Sequence, residues 1–239
     1  KTSTLNVIAN FFPPNHRIVS IEDTRELILP ETLHWVPMQT RMPNPEGKGE
    51  ISMLDLVVNS LRMRPDRILV GEIRRKKEAE VLFEAMHTGH SVYSTLHANS
   101  VQEAVIRLTN PPIELPKTLL NSISLIIVQN RNRRTGVRRT LQVAEILETG
   151  DANILFEFDF IKDQMKPVNK PKRIYKTLKL FSGLTENQIR DDMKEKIRLL
   201  KYFVKENIDD VHEIGSIVSD YYSNKDYVFK RLFKKTNVK

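Results

Sequence analysis

Residues 67–74 read Arg-Ile-Leu-Val-Gly-Glu-Ile-Arg, an apolar run that ends in a carboxylate. The run at 67–70 is typical of a buried strand, and helical spacing of apolar residues flanks it at 52–61 and 78–86. Ser52 is a plausible N-cap for the first of these helices, because Asp55 follows three positions later. Strands that alternate with helices in this way predict an α/β fold with a mainly parallel sheet.

Polar residues stand directly after several of the predicted strands. Glu22 and Asp23 follow the β-branched run at 17–21, Glu72 follows the run at 67–70, and His97 follows the strand predicted at 91–96. In open parallel sheets the ligand lies at the carboxyl ends of the strands. These four side chains are therefore the first candidates for a functional site.

Composition excludes several classes of protein. The 239 residues include 38 Lys and Arg against 30 Asp and Glu, a formal net charge of +8, and no cysteine. Without cysteine there is no disulfide framework and no thiolate ligand or nucleophile. The longest nearly apolar run, 123–128, is far shorter than the roughly 20 residues that span a bilayer. We expect any contact with a membrane to be peripheral or through a partner.

The character of the chain changes near residue 150. Residues 1–150 predict the α/β core, 151–172 a linker rich in Lys and Pro, and 173–239 a small helical extension. Amphipathic helices are predicted at 185–203, 211–222 and 227–233. One face of the first of them carries five apolar residues, Ile189, Met193, Ile197, Leu200 and Val204.

Five arginines surround a predicted hairpin turn at Thr135-Gly136. They are Arg131, Arg133, Arg134, Arg138 and Arg139. A solvated hairpin tip accounts for such a run, but so does a contact with acidic lipid headgroups or an acidic partner. Nucleic acid is a third alternative, which the lack of interleaved aromatic residues disfavours.

Two short motifs admit both a functional and a structural interpretation. Lys1-Thr2 before a helix matches the end of a phosphate-binding loop, in which Lys reaches the terminal phosphates and Thr binds Mg²⁺, although any chain could begin so by chance. Glu72 at a strand end can orient or deprotonate an attacking water. It can equally be a helix-start residue that pairs with Arg74 or Arg75.

The histidines and three of the arginines also have both functional and structural interpretations. His97 can read a phosphate oxygen, can join His87 and His90 in a metal site, or can pack under a loop. Arginine suits a contact with a γ-phosphate across a subunit boundary. Candidates for that contact are Arg41, Arg62 and Arg64, each of which can also be an ordinary surface residue.

Taken in order, these strings resemble one family. The matching strings are Ile21-Glu22-Asp23-Thr24-Arg25-Glu26-Leu27, Thr40-Arg41, Glu46-Gly47-Lys48-Gly49-Glu50, Leu61-Arg62-Met63-Arg64-Pro65-Asp66, Gly71-Glu72-Ile73-Arg74, and Thr88-Gly89-His90 with His97. From residue 1 to about 147 they resemble the type II/type IV secretion ATPases, most closely the tight-adherence pilus branch and its archaeal relatives. The remainder is similar to the helical extension of archaeal members.

The resemblance implies a RecA-like P-loop core that uses ATP and Mg²⁺, with a role for each matching residue. Lys1, Thr2 and Ser3 would belong to the Walker A motif, and Thr2 and Asp23 would lie near Mg²⁺. Glu22 and Asp23 form the family's acidic box, His97 its histidine box, and Gly71-Glu72 its unusual Walker B motif with Glu72 as the catalytic carboxylate. Arg74 would contribute to nucleotide binding, and Arg41, Arg62 and Arg64 to contacts across subunits.

By the same resemblance, we expect an ATP-hydrolysing hexameric motor that powers pilus assembly or protein secretion. It would be cytoplasmic, lie peripherally at the inner face of the cell membrane, and act on an integral-membrane platform protein. The alternatives are a nucleic-acid translocase or helicase on a RecA-like core, favoured by the +8 charge, and a scaffold that does not hydrolyse ATP. Nucleic acid is the less expected partner.

The sequence departs from the family pattern at two places. Arg75-Lys76 stand where the family has Gly after the Gly-Glu-x-Arg motif, which implies a bulkier turn beside Arg74. The glycines that precede Lys-Thr in the family motif do not occur before Lys1. We therefore expect the chain alone to bind ATP poorly and a longer parent protein to be the working enzyme.

Overall fold

A computed structural model describes residues 1–233, which form two compact units. The first unit contains residues 1–71, 90–94 and the C-terminal part from Glu195, and the second contains residues 72–89 and 95–194. The boundaries of these compact units differ from the boundaries at residues 150 and 172 that the sequence predicts for the core, the linker and the extension. That predicted division stays a prediction. The extension predicted over 173–239 ends, at 234–239, outside the described residues.

The first unit is built on a parallel sheet. Its strands are β1 Arg17–Glu22, β2 His34–Gln39, β3 Arg67–Val70 and β4 Ser91–Ser94, and its helices are α1 Thr2–Ala9, α2 Met53–Ser60, α7 Val211–Ser223 and α8 Lys225–Phe233. A short 3₁₀ helix, Leu61–Met63, follows α2. The strand order is β2-β1-β3-β4, with every neighbouring pair parallel. The mainly parallel sheet is confirmed.

Burial explains why these strands take the centre of the sheet. Residues 18–22 of β1 and 68–70 of β3 are buried, so both strands are near-continuous apolar runs rather than alternating ones. Such runs are typical of parallel strands covered on both faces. Leu5 and Ala9 of α1 pack in one cluster with Ile18 and Leu69, which fixes the first helix on the sheet.

Helix α2 begins where the sequence predicts. The Ser52 hydroxyl accepts a hydrogen bond from the Asp55 N–H at 3.2 Å, and the Asp55 carboxylate accepts one from the Ser52 N–H at 2.9 Å. This reciprocal pair satisfies two backbone donors that a helix leaves open at its N-terminus. The predicted cap is confirmed.

The face of α6 that packs against the C-terminal helices differs from the apolar face that the sequence predicts. Helix α6, Glu186–Lys205, spans the last residues of the second unit and the first of this one. Its Leu199 and Phe203 are buried in a cluster with Ile217 and Val218 of α7. Four residues of the predicted face, Met193, Ile197, Leu200 and Val204, are instead exposed. The helix carries two apolar stripes, and the stripe with Leu199 and Phe203 is the one that packs against α7.

The second unit contains an antiparallel sheet of order β5-β6-β7-β8. Its strands are β5 Leu125–Arg131, β6 Arg138–Ile146, β7 Ala152–Asp159 and β8 Gln164–Pro167, and its helices are α3 Lys76–His87, α4 Val101–Thr109 and α5 Ile174–Ser182, with a 3₁₀ helix at Lys117–Ser122. The predicted return of the chain through the arginine-rich turn is confirmed as the β5–β6 hairpin.

Strands β7 and β8 occupy most of residues 151–172, for which the sequence predicts a linker. Strand β7 buries Leu155 and Phe158 in the sheet, so it is part of the packed unit. Strand β8 lies at the sheet edge, where Lys and Pro are tolerated in strands, and all four of its residues are exposed. Its composition is therefore that of an edge strand rather than of a linker.

A buried carboxylate anchors the start of α5, a helix that the sequence did not predict. Glu145 of β6 accepts hydrogen bonds from the N–H groups of Lys172, Arg173 and Ile174 at 2.6, 3.0 and 2.8 Å. The amide of Asn153 donates another at 2.8 Å. Burial alone would raise the pKa of Glu145, but these hydrogen bonds to its charged form lower the pKa below its ordinary value.

Within residues 1–233, no helix is both long and apolar enough to cross a membrane.

Candidate functional site

Glu72 is held between two basic side chains at the end of β3. Its Oε1 lies 3.2 Å from Nε2 of His97, and its Oε2 lies 2.8 Å from both Nε and Nη2 of Arg74. The side chain of Glu72 is 18% exposed, whereas those of Arg74 and His97 are more than half exposed. We call these three residues the Glu72 cluster.

The backbone explains why the cluster forms. Strands β3 and β4 pair in parallel, from Arg67 opposite Ser91 to Val70 opposite Ser94. The two segments that follow stay together, because the N–H of Ile73 donates to the carbonyl of Thr95 at 3.1 Å. Parallel strands end at the same edge, so residues that follow them are brought to one place.

The acidic pair after β1 divides into one buried and one exposed carboxylate. Glu22 is 4% exposed, and its Oε1 accepts hydrogen bonds from the N–H groups of Glu26 and Leu27 at 3.0 and 3.1 Å. Its other oxygen, Oε2, is buried and has no hydrogen-bond partner among the described residues. Asp23 is exposed, and its Oδ1 accepts from the hydroxyl of Thr40 at 3.1 Å.

Gly71 lies against this acidic pair. A Cβ atom at position 71 would lie 3.6 Å from the carbonyl oxygen of Ile21 and 3.8 Å from Cγ of Glu22. These are ordinary contacts, so alanine would fit there. An aspartate at this position would place a second carboxylate beside the buried one of Glu22, which like-charge repulsion disfavours.

Lys1 and Thr2 stand at the start of α1. Lys1 is the N-cap residue, and its carbonyl accepts from the N–H groups of Thr4 and Leu5, each at 3.0 Å. The positive end of a helix dipole and its backbone N–H groups favour an anion at this position. Ser3 lies in the same first turn of the helix.

The three candidate arginines occupy two places in the first unit. Arg41 forms an isolated antiparallel bridge with Ile51, and its Nε donates to the carbonyl of Gly49 at 2.6 Å. Arg62 lies in the 3₁₀ helix after α2, and Arg64 follows it with a left-handed backbone, φ 52°. All three side chains are exposed.

The structure therefore brings some of the predicted residues together directly. Glu72, Arg74 and His97 form one hydrogen-bonded cluster in the second unit, and Gly71 touches Glu22 in the first. Lys1, Thr2, Ser3 and Asp23 lie in the first unit with the three arginines. Sequence reasoning missed Thr40, which donates to Asp23; its position next to Arg41 in the Thr-Arg string was the available signal.

Oxygen donors in the first unit fit a hard divalent cation. The hydroxyl of Thr2 and the carboxylate of Asp23 are ligand types that Mg²⁺ prefers, and the unpartnered buried oxygen of Glu22 is a further acceptor. By contrast, the part of the chain that the structure describes holds no group of three or more His, Asp or Glu residues arranged for a metal ion. His87 contacts the Ser122 hydroxyl at 2.9 Å and His97 contacts Glu72, which argues against the three-histidine alternative.

A family model described as "Type II/IV secretion system protein" matches residues 1–151, well over half of the chain. The chain belongs to the type II/IV secretion system family. The resemblance to secretion ATPases seen in the sequence is thereby confirmed.

The relatives of this chain match different shares of its length. It is 34% identical over 212 residues to the uncharacterized protein MJ1287 of Methanocaldococcus jannaschii, covering 86% of this chain and 78% of that protein. The type IV secretion system protein PtlH of Bordetella pertussis is 34% identical over 151 residues, covering 58% of this chain and 44% of PtlH.

A solved structure agrees with the fold. The VirB11 ATPase from the Brucella suis type IV secretion system superposes with a TM-score of 0.50 and 24% identity, covering 62% of this chain and 46% of that one. At this identity the match concerns the fold alone. The chain has the mixed α/β, RecA-like core that the sequence predicted, with a helical C-terminal part. It spans less than half of the lengths of PtlH and of the VirB11 chain.

Proposed function

We propose that the protein hydrolyses ATP and that the Glu72 cluster is the centre of hydrolysis. The observation that carries the proposal is the position of Glu72, mostly buried after β3 and hydrogen-bonded to His97 and Arg74. A carboxylate so placed in a member of the secretion ATPase family has the chemistry and the location to orient an attacking water. Family membership supports a motor for secretion or pilus assembly rather than a passive scaffold.

Each residue of the proposed site has a defined task. Glu72 accepts a proton from, or orients, the water that attacks the γ-phosphate. His97 and Arg74, released from Glu72, donate hydrogen bonds to phosphate oxygens. Lys1, with the start of α1, binds the terminal phosphates.

The remaining residues hold and polarise the nucleotide. Thr2 and Asp23 would hold Mg²⁺, and Glu22 would accept a hydrogen bond from a water bound there. When bound, the cation neutralises charge that develops on the phosphate oxygens. Ser3 adds a hydroxyl donor at the first turn of α1, and Gly71 keeps the space beside Glu22 clear of a second carboxylate.

A working site would be completed by a neighbouring subunit. Arg41, Arg62 and Arg64 are exposed cations, and a planar guanidinium from a second subunit spreads the charge of a γ-phosphate over several oxygens. Sites shared between identical subunits are satisfied by closed cyclic symmetry, here a hexameric ring. We further propose that the ring acts at the cytoplasmic face of the membrane, on an integral-membrane platform protein.

The test is steady-state ATP turnover by the full-length protein with Glu72→Gln. This substitution keeps the shape of the side chain and removes its basicity, so turnover is expected to fall by about 100-fold or more. Glu80→Gln makes the same chemical change at an exposed position of α3 and should leave turnover unchanged. Wild-type turnover in the Glu72→Gln protein would remove Glu72 from the proposed role.

A further inference from the structure

Two turns of the antiparallel sheet lie side by side at the same end of its strands. Residues 131–138 include the β5–β6 turn, and residues 160–163 form the β7–β8 turn. Arg139, next to the first turn, donates from Nε and Nη2 to the two carboxylate oxygens of Asp163 in the second, each at 2.8 Å. This two-fold hydrogen bond joins the turns into one surface, which we call the basic tip.

The basic tip carries a concentration of uncompensated positive charge. Its first turn exposes four arginines that form no ion pair within residues 1–233, namely Arg131, Arg133, Arg134 and Arg138. Lys162 and Lys166 add two exposed cations beside the second turn. Of the two aspartates nearby, Asp163 is paired with Arg139, and Asp159 accepts from the N–H groups of Ile161 and Lys162.

Two large apolar side chains project from the same surface. Phe160 is 71% exposed and Ile161 is 96% exposed. The hydrogen bonds to Asp159, at 3.0 and 3.1 Å, fix the turn that presents them. A single exposed apolar residue is common on protein surfaces. Two adjacent exposed apolar residues in one turn, close to several cationic side chains, are less common.

The shape of the tip decides between partners. Residues 131–138 and 160–170 are all exposed, so the surface offers no concave groove in which a peptide could be buried. Phe160 offers the tip a single ring face, whereas single-stranded nucleic acid is bound by stacking successive bases on several aromatic side chains. A bilayer surface needs no groove, because it attracts cations through anionic headgroups and accepts apolar side chains just below them.

We propose that the basic tip docks on the anionic surface of a lipid bilayer. The arginines contact the phosphate-bearing headgroups, and Phe160 and Ile161 enter the boundary between headgroups and acyl chains. The inference deepens the membrane part of the proposed function, but it depends on residues that take no part in ATP hydrolysis. Its failure would therefore leave the hydrolysis proposal intact.

The first test is co-sedimentation of the full-length protein with vesicles of phosphatidylcholine alone or of equal parts phosphatidylcholine and phosphatidylglycerol. Binding is expected only to the anionic vesicles and should weaken as salt is added. Arg133→Glu with Arg134→Glu should lower that binding by roughly 30-fold or more. Lys176→Glu with Lys179→Glu makes the same charge change on α5 and should have far less effect.

The second test places a fluorophore at the tip. Ile161→Trp should give emission that spin-labelled lipids quench, beyond the signal of Trp35 in the unsubstituted protein. ATP turnover without vesicles should be unchanged in all of these variants. No quenching at position 161, equal binding to neutral vesicles, or equal loss in the two charge-reversed proteins would overturn the assignment to lipid. Tip-dependent binding to an acidic protein without vesicle binding would also overturn it.

Discussion

Both carboxylate oxygens of Glu72 are occupied, one by His97 and the other by Arg74. These contacts orient the carboxylate, and each of its oxygens keeps a lone pair that can accept a hydrogen bond from water. Phosphate oxygens of a bound nucleotide would compete with Glu72 for the hydrogen bonds of His97 and Arg74. Because His97 is 67% exposed, its contact with Glu72 adds little to the stability of the fold.

His97→Ala is accordingly expected to lower ATP turnover by about tenfold or more, since a hydrogen bond to a charged group in the site is lost. The free energy of unfolding should change by less than about 0.5 kcal/mol. The control is His87→Ala, which removes an exposed imidazole that contacts the Ser122 hydroxyl and lies outside the Glu72 cluster. A large loss of stability with turnover per folded molecule preserved would make His97 a structural residue instead.

Glu145 provides a prediction about stability rather than activity. Glu145→Gln places an amide among three backbone N–H donors and should destabilise the protein by roughly 3 kcal/mol at neutral pH. The folded-state pKa of Glu145 is below its ordinary value of 4.5. The stability that the charged carboxylate contributes is therefore complete above pH 4.5 and is lost as the pH falls through the folded-state pKa.

Denaturant unfolding of wild-type and Glu145→Gln proteins across this range measures the effect, with the exposed Glu148→Gln as control. The two unfolding curves should converge in acid. A difference that is independent of pH would show that the charge of Glu145 does not hold the start of α5.

At the scale of elements, the sequence predicted the strands and helix ends that are determined by the burial of apolar residues or by a local helix cap. The runs that became β1 and β3 are apolar because both faces are covered, and α2 has its cap in the sequence at Ser52 and Asp55. The proximity of Glu72 and His97 also follows, since each comes directly after one of two neighbouring parallel strands.

Other features could not be predicted, because contacts distant in sequence decide them. Strand β8 has an exposed Lys- and Pro-containing sequence that resembles a linker, and only its pairing with β7 makes it a strand. Helix α5 begins where Glu145, far earlier in the chain, accepts its N–H groups. The burial of Glu22 likewise depends on the loop at Glu26 and Leu27 folding back over it.

Where α7 approaches Pro30, a glycine-to-alanine substitution is expected to destabilise the protein, which is the opposite of its usual effect in a helix. Gly215 of α7 faces Pro30, and a Cβ at position 215 would lie 2.2 Å from Cβ and 2.6 Å from Cγ of that proline. Glycine to alanine in a helix interior ordinarily stabilises by about 0.5–1 kcal/mol. Here the rigid proline ring cannot move aside, so Gly215→Ala should instead destabilise by about 1 kcal/mol or more.

Thermal unfolding measures this effect, with Ser216→Ala at the next, exposed position as the control expected to be neutral or slightly stabilising. A higher melting temperature for Gly215→Ala would show that α7 does not pack closely on Pro30.

At the scale of the whole molecule, the net charge of +8 is not evenly placed. Arg131, Arg133, Arg134 and Arg138 of the basic tip, which form no ion pair within residues 1–233, lie in the second unit, whereas Arg41, Arg62 and Arg64 lie in the first. The arginines proposed to contact lipid are therefore different residues from those proposed to contact nucleotide.

The central claim is that Glu72 carries out the hydrolytic step. Single-turnover cleavage of pre-bound ATP in the full-length protein tests it most directly, because binding is complete before the chemical step is timed. The account predicts that Glu72→Gln binds ATP as the wild-type protein does and cleaves it about 100-fold more slowly or worse. Cleavage at the wild-type rate from an equally loaded site would contradict it.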